Sequence, residues 1–486
     1  MDWPSAAVLT AHHLLLLLLC AYGAHRLLCI GLALRGYRTV PIARAPSEDS
    51  LPCVTVQLPL YNERLVAERL LRAAAALDYP RHKLQIQVLD DSTDGTVELV
   101  AALVLTLRGE GCWIEHVRRP DRSNFKAGAL AHAMHSAQGE LIAIFDADFV
   151  PAADFLRRMV PHFADPSIGM VQARWGHLNR EESLLTKVQA ILLDAHFAVE
   201  QAARCASGMF FNFNGTAGVW RARAIQEAGG WQGDTLTEDL DLSYRAQLAG
   251  WRFSYQRDVE CAGELPSDMN AFKSQQHRWS KGAIEVMRKL LGRVWAAPIS
   301  LPRKLEATAH LSSNLSYLIL FVDSVFLLFP SILIRNAHDI GYLFWLDLPL
   351  FVFASLSHVL FFLMGQKILY GRVSDKLIYA PALLATSVGL ALNNGRAVLE
   401  ALAGHRSAFV RTPKRGGGPV GGTHAYAATR TRWSDPLEFA LGVFYTLLAV
   451  WAGLAGAVMV SPFLALFAAG FFYSSLASAG ARRVSA

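Results

Sequence analysis

The stretch that sets the fold of this chain is Glu140-Leu141-Ile142-Ala143-Ile144-Phe145-Asp146-Ala147-Asp148. Its apolar part is typical of a strand that is buried on both faces, as in the centre of a parallel sheet. The two aspartates follow directly and are separated by one residue, so on an extended backbone both carboxylates point to the same side. The sequence therefore predicts a buried strand that ends in a pair of carboxylates.

Three further strands are predicted before this one, each followed by a turn or a helical pattern. Extended runs cover residues 54–59, 84–89 and 112–117, with Ala- and Leu-rich segments between them. This alternation predicts an α/β domain with a mostly parallel sheet and helices on both faces. Ligands bind such sheets at the carboxyl ends of the strands, so motifs at these ends are the strongest functional candidates.

Asp146 and Asp148 are the candidate metal ligands. Magnesium and manganese ions are held by one or two carboxylates and are completed by substrate phosphates and water. Unpaired charge at the end of a buried strand is costly, which favours a bound cation. The pair therefore predicts a site for Mg²⁺ or Mn²⁺.

Two other acidic motifs occupy comparable positions. Asp90 and Asp91 follow the second strand, where a carboxylate can accept hydrogen bonds from a nucleotide, although the residues at 90–95 also favour a simple capped turn. Glu238 and Asp239 begin an amphipathic helix, where acidic residues also stabilise the helix dipole. A carboxylate at this point can alternatively take the proton from an attacking sugar hydroxyl.

Two more candidate contacts with substrate lie beside small residues. Lys126 begins a helix with Ala127 and Gly128, and the amino end of a helix attracts phosphate. Gly215 and Thr216 lie in an apolar turn that lets a substrate approach the backbone closely, or that serves only tight packing. The sequence contains no Gly-x-x-x-x-Gly-Lys-Ser/Thr run, so a P-loop for ATP is not indicated.

The stretch Gln275-Gln276-His277-Arg278-Trp279 lies just before a long apolar tail. Arg278 offers a rigid fork of donors for phosphate oxygens, and Trp279 offers a flat face for a sugar ring. Gln275 adds an amide on the same stretch. Together they predict a place where a charged donor meets a sugar acceptor, at the join between a soluble domain and a membrane.

Composition supports a membrane protein. The chain of 486 residues is 53% hydrophobic, and the apolar excess lies at its two ends. The net charge is +6, yet no Lys- and Arg-dense run with interleaved aromatic residues occurs, so nucleic acid is not an expected partner. The six cysteines show no Cys-x-x-Cys spacing, which indicates neither a zinc site nor a disulfide framework and fits a reducing cytosol.

Five membrane spans are predicted by length and polarity, at residues 6–34, 311–333, 341–364, 437–460 and 462–479. A sixth apolar segment at 377–392 is shorter and contains Pro381. The basic residues near 35–38 and 406–432 should all face the cytosol, which requires an even number of crossings between them. The segment near 377–403 is therefore predicted to lie along the membrane interface.

These predictions divide the chain into three parts. Residues 1–36 form an N-terminal membrane segment, and residues 37–298 form the cytosolic α/β domain. Residues 299–486 form a C-terminal membrane region, which includes the interfacial helix near 377–403 and a loop at 405–434.

The order of the motifs resembles that of the processive family 2 glycosyltransferases. Asp-Asp, Lys-Ala-Gly, Asp-x-Asp, Thr-Glu-Asp and Gln-x-x-Arg-Trp follow one another and precede a multi-span tail. The residues at 57–63, 87–94, 171–175 and 214–221 are most similar to the motifs of the cellulose-synthase-like A group, the glucomannan 4-β-mannosyltransferases. The resemblance implies a GT-A fold and inverting transfer of a hexose from UDP-glucose or GDP-mannose to a growing β-glycan, with coupled export.

The resemblance also implies roles for individual residues. Asp90 and Asp91 would contact the nucleotide, Lys126 and Asp146 would hold the donor, and Asp148 would ligate the metal. Asp239 is the implied catalytic base, next to Glu238. Gln275 and Arg278 would brace the leaving diphosphate, Trp279 would stack under the acceptor, and Gly215 and Thr216 would line the acceptor side.

A segment at Phe409-Val410-Arg411-Thr412-Pro413-Lys414 is similar to the gating loop of cellulose synthases. Arg411 and Pro413 depart from the bacterial cellulose form, so the implied closing role is weaker than the catalytic roles. The implied location is a bacterial plasma membrane or a Golgi-type membrane, with membrane lipid around the spans and the catalytic domain in the cytosol.

Two other classes of function compete with this interpretation. A non-processive lipid glycosyltransferase of the ceramide glucosyltransferase type would use a glycolipid acceptor, and it shares the Gln-x-x-Arg-Trp motif. A transporter with a degenerate domain would lack carboxylates at the motif positions, whereas this sequence retains all of them.

Overall fold

The structure is a computed structural model that describes residues 1–36, 47–407, 411–412, 414–416, 434–454 and 460–485, with the backbone alone for 481–485. Its strands are β1 (Val54–Leu60), β2 (Leu84–Asp90), β3 (Trp113–Val117), β4 (Leu141–Ile144), β5 (Ile168–His177), β6 (Gly218–Arg221) and β7 (Arg252–Gly263).

Seventeen α-helices are described. They are α1 (Trp3–Gly36), α2 (Ala67–Ala75), α3 (Thr96–Gly109), α4 (Phe125–Ala133), α5 (Phe155–Met159), α6 (Leu184–Ala195), α7 (Ala202–Ala206), α8 (Ala222–Glu227), α9 (Glu238–Leu248), α10 (Met269–Ala296), α11 (Leu301–Ser312), α12 (Leu315–Val322), α13 (Leu328–Ala337), α14 (Phe344–Tyr370), α15 (Ala380–Leu402), α16 (Ser434–Leu454) and α17 (Ser461–Ser485). Short π-helical segments join α6 to α7, and α12 to α13.

The seven strands form one mixed sheet in the order β3-β2-β1-β4-β6-β5-β7. Strands β3, β2, β1 and β4 are parallel to one another, and β5 is parallel to β7. Strand β6 is antiparallel to both of its neighbours. The predicted α/β class with a mostly parallel sheet is confirmed, and β6 is the one reversal that sequence alternation did not predict.

Strand β4 shows why the sheet has a core on each face. Leu141 and Ala143 belong to one buried cluster with residues of α2, α3 and α5, while Ile142 and Ile144 belong to a second cluster with residues of α4, α6 and α8. Successive side chains on a strand point to opposite faces, so an entirely apolar strand fits a central position between two helical layers.

Six helical segments are long and apolar enough to cross a membrane, judged by length and composition over the described residues. They are Trp3–Gly36, Leu315–Ala337, Gly341–Tyr370, Leu377–Leu402, Ser434–Leu454 and Ser461–Gly480. Each of the five predicted spans overlaps one of them, but the predictions at 311–333 and 437–460 extend beyond Leu315–Ala337 and Ser434–Leu454.

The sixth, Leu377–Leu402, is the segment that was predicted to be interfacial. Pro381 lies in the first turn of α15, where proline does not interrupt a helix, and the helix then continues to Leu402. Its most apolar stretch is 56% buried by the rest of the chain, the highest share of the six. The assignment of this helix to the interface, and with it the domain boundaries, stays a prediction.

Helix α10 joins the sheet domain to the apolar helices. Asp268 caps its amino end by accepting a hydrogen bond from the Ala271 amide at 2.9 Å. The ammonium of Lys273, which has no exposed surface, lies 2.6 Å from a carboxylate oxygen of Glu438 on α16 and donates to the Ser478 hydroxyl of α17 at 2.9 Å. This buried ion pair fixes α10 against the last two helices.

The substitution Lys273→Met tests this connection. It leaves the fully buried Glu438 carboxylate without its partner, and removal of one member of a buried ion pair costs about 3–5 kcal/mol. We expect a marked fall in the thermal unfolding temperature of the detergent-solubilised protein. The double variant Lys273→Met/Glu438→Gln should recover part of the loss.

Lys187→Met is the matched control, because Lys187 pairs with the exposed Glu181 at 3.2 Å. Exposed ion pairs contribute about 0–1 kcal/mol, so this variant should unfold near the wild-type temperature. Equal unfolding temperatures for the two single variants would contradict the role assigned to Lys273.

Candidate active site

One cleft at the carboxyl ends of β1, β2, β4 and β5 collects most of the predicted site residues. Those that line it are Asp91, Lys126, Asp146, Asp148, Gly215, Glu238, Asp239, Gln275, Arg278 and Trp279. They come from strand ends, from the amino-terminal turns of α4 and α9, and from α10. Motifs that are widely separated in the sequence therefore share one cavity.

Lys126 is the cation at the centre of the cleft. Its ammonium lies 2.6 Å from a carboxylate oxygen of Asp146, 2.8 Å from the Gly215 carbonyl oxygen and 4.0 Å from Glu238. Burial acts to lower the pKa of this amine, but the carboxylates of Asp146 and Glu238 outweigh it, and the pKa is raised. Lys126 thus stays charged and joins the strand end to the start of α9.

Asp239 and the adjacent Glu238 are both deeply buried, and burial raises the pKa of each. Burial and the adjacent negative charge of Glu238 raise the pKa of Asp239 to about 7, while Lys126 acts in the opposite direction. Among the described ion pairs, none brings a cationic side chain within 4.0 Å of Asp239. A carboxylate with a pKa near neutrality can accept a proton and release it again, as a general base must.

Asp148 lies deeper in the cleft and is held from three sides. One of its carboxylate oxygens is 2.6 Å from the Lys414 ammonium and accepts a hydrogen bond from the Glu264 amide at 3.2 Å. The backbone carbonyl of Asp148 accepts a hydrogen bond from Arg69 at 3.3 Å. Two lysines therefore stand beside the two aspartates that were predicted to hold a metal ion.

The donor set at this point fits a magnesium or manganese ion. Asp146 and Asp148 line the same cavity, and each has its lysine partner on one carboxylate oxygen, Oδ1 of Asp146 and Oδ2 of Asp148, so the other oxygen of each can ligate an ion. Over the described residues, neither belongs to a group of three protein ligands whose donor atoms lie within 4.8 Å. Two carboxylates completed by phosphate and water are the arrangement that these ions favour.

Helix α10 presents the predicted phosphate and sugar contacts from one face. Gln275, Arg278 and Trp279 are three or four residues apart, so their side chains lie together on the helix surface. Burial lowers the pKa of Arg278 to about 10, which leaves it charged at neutral pH. Its guanidinium donates a hydrogen bond to the Thr412 hydroxyl at 2.8 Å.

Two predicted residues lie behind the cleft wall. The Asp90 carboxylate has no exposed surface, lies 2.9 Å from the His116 ring and accepts a hydrogen bond from the Ser92 amide at 2.9 Å. Thr216 is also buried, and its hydroxyl accepts a hydrogen bond from the Asp146 amide at 2.9 Å. Asp91, by contrast, lines the cleft, and its two carboxylate oxygens accept hydrogen bonds from Nε and Nη2 of Arg119.

The sequence did not point to several other residues that line the cleft, among them Glu63, Trp175 and His177. The Trp175 and Trp279 rings lie 6.4 Å apart between centroids, so this part of the cleft has two indoles. Burial raises the pKa of Glu63 to about 8 despite Arg411 at 3.0 Å. Trp175 and His177 lie at the carboxyl end of β5. The sequence pattern did not predict this strand, so its end was not identified as a position where ligands bind.

The predicted gating-like segment lies partly outside the described residues, which include Arg411, Thr412 and Lys414 but neither Phe409, Val410 nor Pro413. The three described residues all line the cleft. Each contacts a different wall, with Arg411 at Glu63, Thr412 at Arg278 and Lys414 at Asp148. Closure over a donor stays a prediction.

Comparison with known families agrees with this geometry. Residues 52–282 match the family described as glycosyltransferase like family 2. This segment belongs to glycosyltransferase family 2. The resemblance drawn from the order of the motifs is confirmed at the level of the family, and the matched segment contains every residue of the cleft except those after α10.

Two curated plant relatives match about half of this chain. Glucomannan 4-beta-mannosyltransferase 2 of Arabidopsis thaliana is 46% identical over 248 residues, which are 50% of this chain and 46% of that protein. Glucomannan 4-beta-mannosyltransferase 1 of Oryza sativa subsp. japonica is 45% identical over 268 residues, which are 53% of this chain and 51% of that protein. The chain thus spans about half the length of the curated relatives it matches.

A solved structure was also found to be similar. It is a mannosyltransferase from Pyrobaculum calidifontis in complex with GDP-Man and Mn²⁺, 22% identical in sequence, with a TM-score of 0.49. The likeness covers 76% of this chain and 98% of that one.

Gly215→Ala tests how tightly the family 2 cleft is built. Gly215 has φ +84°, and a Cβ added there would lie 3.0 Å from an Asp239 carboxylate oxygen and 3.5 Å from the Lys126 ammonium. The added carbon must displace one of these groups, and a misplaced catalytic group costs on the order of 100-fold in rate. We expect kcat/KM for glycosyl transfer to fall by that factor.

Gly111→Ala is the matched control, since Gly111 has φ +83° and a Cβ there would meet no atom within 4 Å. Both variants carry the same backbone strain of about 1–2 kcal/mol, so they should unfold at similar temperatures. If Gly111→Ala loses as much activity as Gly215→Ala, strain rather than contact with Asp239 explains the effect.

The raised pKa of Asp239 predicts the pH dependence of transfer. The base must be deprotonated to act, so kcat/KM should rise about tenfold per pH unit below pH 7 and level off above it. Initial rates between pH 5 and 8.5 measure this profile. A profile that is flat down to pH 5 would exclude a base with a raised pKa.

Proposed function

We propose that this chain is an inverting hexosyltransferase of the membrane that adds mannose from GDP-mannose to a growing β-glycan through 4-β linkages. The observation that carries the proposal is the single cleft that holds Lys126, Asp146, Asp148, Asp239 and Trp279. The names of the plant relatives support mannose as the sugar and 4-β as the linkage. UDP-glucose is the alternative donor, and the experiment at the end of this subsection compares it with GDP-mannose.

In this proposal, the chain's own residues bind the two substrates at opposite ends of the cleft. Asp91 lies at the end next to Arg122 and Tyr61, whose ring is 3.3 Å from the guanidinium carbon of Arg122, and these groups suit a nucleotide. Lys126 and Arg278 supply positive charge for the diphosphate. Trp279 and Trp175 supply flat faces for the sugar of the acceptor.

The chemical step follows from the pKa of Asp239 and the charges around it. Asp239 removes the proton from the acceptor hydroxyl while that oxygen attacks the anomeric carbon, and the nucleoside diphosphate leaves from the opposite face. Arg278 stabilises the negative charge that develops on the departing phosphate. Asp146 and Asp148 would hold a divalent cation, Mg²⁺ or Mn²⁺, and a bound ion would supply further Lewis-acid stabilisation of the same charge.

A second cavity supports polymer synthesis with export rather than transfer to a lipid. It shares Leu193, Gln275 and Trp279 with the cleft and continues between the apolar helices α1, α12, α14, α15 and α17. Its walls combine apolar side chains with polar ones such as Tyr317 and His358. In this proposal, an acceptor chain that stacks on Trp279 passes from the cleft into this second cavity.

The orientation of the chain is part of the proposal. The family 2 domain faces the cytosol, where the basic residues around Arg35 and after Gly404 also lie, and the apolar helices cross a bacterial plasma membrane or a Golgi-type membrane.

Reconstituted proteoliposomes test the proposal. They are supplied with radiolabelled GDP-mannose or UDP-glucose and either Mn²⁺ or Mg²⁺, and the products are separated by size and digested with linkage-specific glycanases. We expect an alkali-stable polymer from GDP-mannose that a β-1,4-mannanase degrades, and no polymer from Asp239→Asn. A single labelled glycolipid in place of a polymer would exclude the synthase.

A further inference from the structure

A side-chain cluster outside the cleft joins α1 to α11. His25 and Cys29 are four residues apart on α1, so they lie on the same face of the helix, and Glu306 comes from α11. The His25 ring nitrogen Nε2 is 2.8 Å from Glu306 Oε2 and 3.7 Å from Cys29 Sγ. Among the described residues, these three form the only group of three possible metal ligands with donor atoms within 4.8 Å of one another.

We propose that His25, Cys29 and Glu306 bind a zinc ion that fastens the first helix of the chain to α11. The chemistry of the set favours zinc, because a thiolate, an imidazole and a carboxylate are its usual protein ligands, whereas magnesium and manganese prefer oxygen alone. The site is separate from the cleft and does not depend on the proposed enzymatic function.

The distances suit a tetrahedral ion. Bond lengths near 2.0 Å for nitrogen and oxygen and near 2.3 Å for sulfur place neighbouring ligands about 3.3–3.6 Å apart. The His25–Glu306 separation of 2.8 Å would therefore open by about 0.5 Å, and the His25–Cys29 separation of 3.7 Å would close by about 0.1 Å. Such shifts are within reach of side-chain rotation, without movement of either helix.

The surroundings orient the ligands. Glu306 uses its other oxygen, Oε1, to accept a hydrogen bond from Arg204 Nε at 2.9 Å, which leaves Oε2 directed at His25. Hydrogen bonds of this kind to a ligating carboxylate fix its orientation in metal sites. Arg204 also lies 3.9 Å from Glu200, so its charge is shared between two carboxylates.

The burial of the three ligand side chains favours binding of an ion. Cys29 has 2% of its surface exposed, and the side chains of His25 and Glu306 have 17% and 11%. Charge is costly in such a place unless it is neutralised. Zinc with the Cys29 thiolate and the Glu306 carboxylate sums to zero, while Arg204 balances Glu200. A proton on His25 is the competing way to neutralise Glu306, and the test must separate the two.

The location assigns the ion a structural role. Helix α11 follows directly on α10, which carries Arg278 and Trp279, and the Tyr22 hydroxyl of α1 also donates to the Ser312 carbonyl oxygen of α11 at 3.0 Å. A bound ion would add a metal link beside this hydrogen bond. It would hold α1 in place against the part of the chain that carries the acceptor site.

The test uses the full chain, purified in detergent without a polyhistidine tag from cells grown with added zinc. Metal content is measured by mass spectrometry for the wild type, Cys29→Ser and Cys20→Ser. Cys20 is the matched control, since it lies on the same helix and its thiol is 3.3 Å from the Leu350 carbonyl oxygen. We expect stoichiometric zinc in the wild type and Cys20→Ser, and loss of zinc in Cys29→Ser.

Cobalt gives a second readout that needs no variant to fold. After chelation, Co²⁺ added to the wild type should produce a thiolate-to-cobalt charge-transfer band and should restore the unfolding temperature that the chelator lowers. A wild-type protein with neither zinc nor this band would overturn the proposal in favour of a protonated His25. Zinc retained by Cys29→Ser would overturn it as well.

Discussion

Asp146, Asp148, Glu238 and Asp239 are four of the carboxylates that line the cleft, and the distribution of cations among them decides what each can do. Lys126 stands between Asp146 and Glu238, and Lys414 stands beside Asp148. Asp239 lies next to this group but receives only a more distant effect from Lys126. Burial and the negative charge of Glu238 raise the pKa of Asp239, while Lys126 acts against this rise, so the balance of these charges decides how readily Asp239 exchanges a proton. The whole arrangement therefore depends on the position of the Lys126 ammonium.

The backbone around Lys126 explains how that position is kept. Asn124 and Phe125 both have positive φ angles, 54° and 47°, which are unfavourable for residues with side chains. They direct the chain into α4 so that Lys126 reaches Asp146 and the Gly215 carbonyl at once. Strain of this sort is commonly found where a functional group must be held in place.

Part of this organisation could be read from the sequence, for identifiable reasons. The run before Asp146 is apolar at every position of β4, which identifies a central strand, and strand ends are where α/β sheets bind ligands. Trp175 was not found this way, because β5 pairs with a reversed strand and was not recognised as part of the sheet. Asp90 has the same sequence signal as Asp91, and only the packing of His116 shows that its carboxylate points inward.

The cluster of His25, Cys29 and Glu306 shows a further reason why sequence patterns miss sites. Zinc motifs are recognised when closely spaced cysteines and histidines occur together, and this chain has no Cys-x-x-Cys spacing. Here the third ligand comes from another helix that follows the entire sheet domain. Such a group becomes visible only when the helices are placed side by side.

Helix α10 has one more consequence, which concerns how the catalytic unit can be divided. One face of the helix supplies Arg278 and Trp279 to the cleft, and Lys273 on the same helix is buried against Glu438 and Ser478 near the end of the chain. A fragment that ends after α10 would expose Lys273. It would also lose the contacts with Glu438 and Ser478 that hold the helix carrying Trp279. The sheet domain and the apolar helices are thus connected through α10, and an excised sheet domain would lack the contacts that hold the helix carrying Arg278 and Trp279.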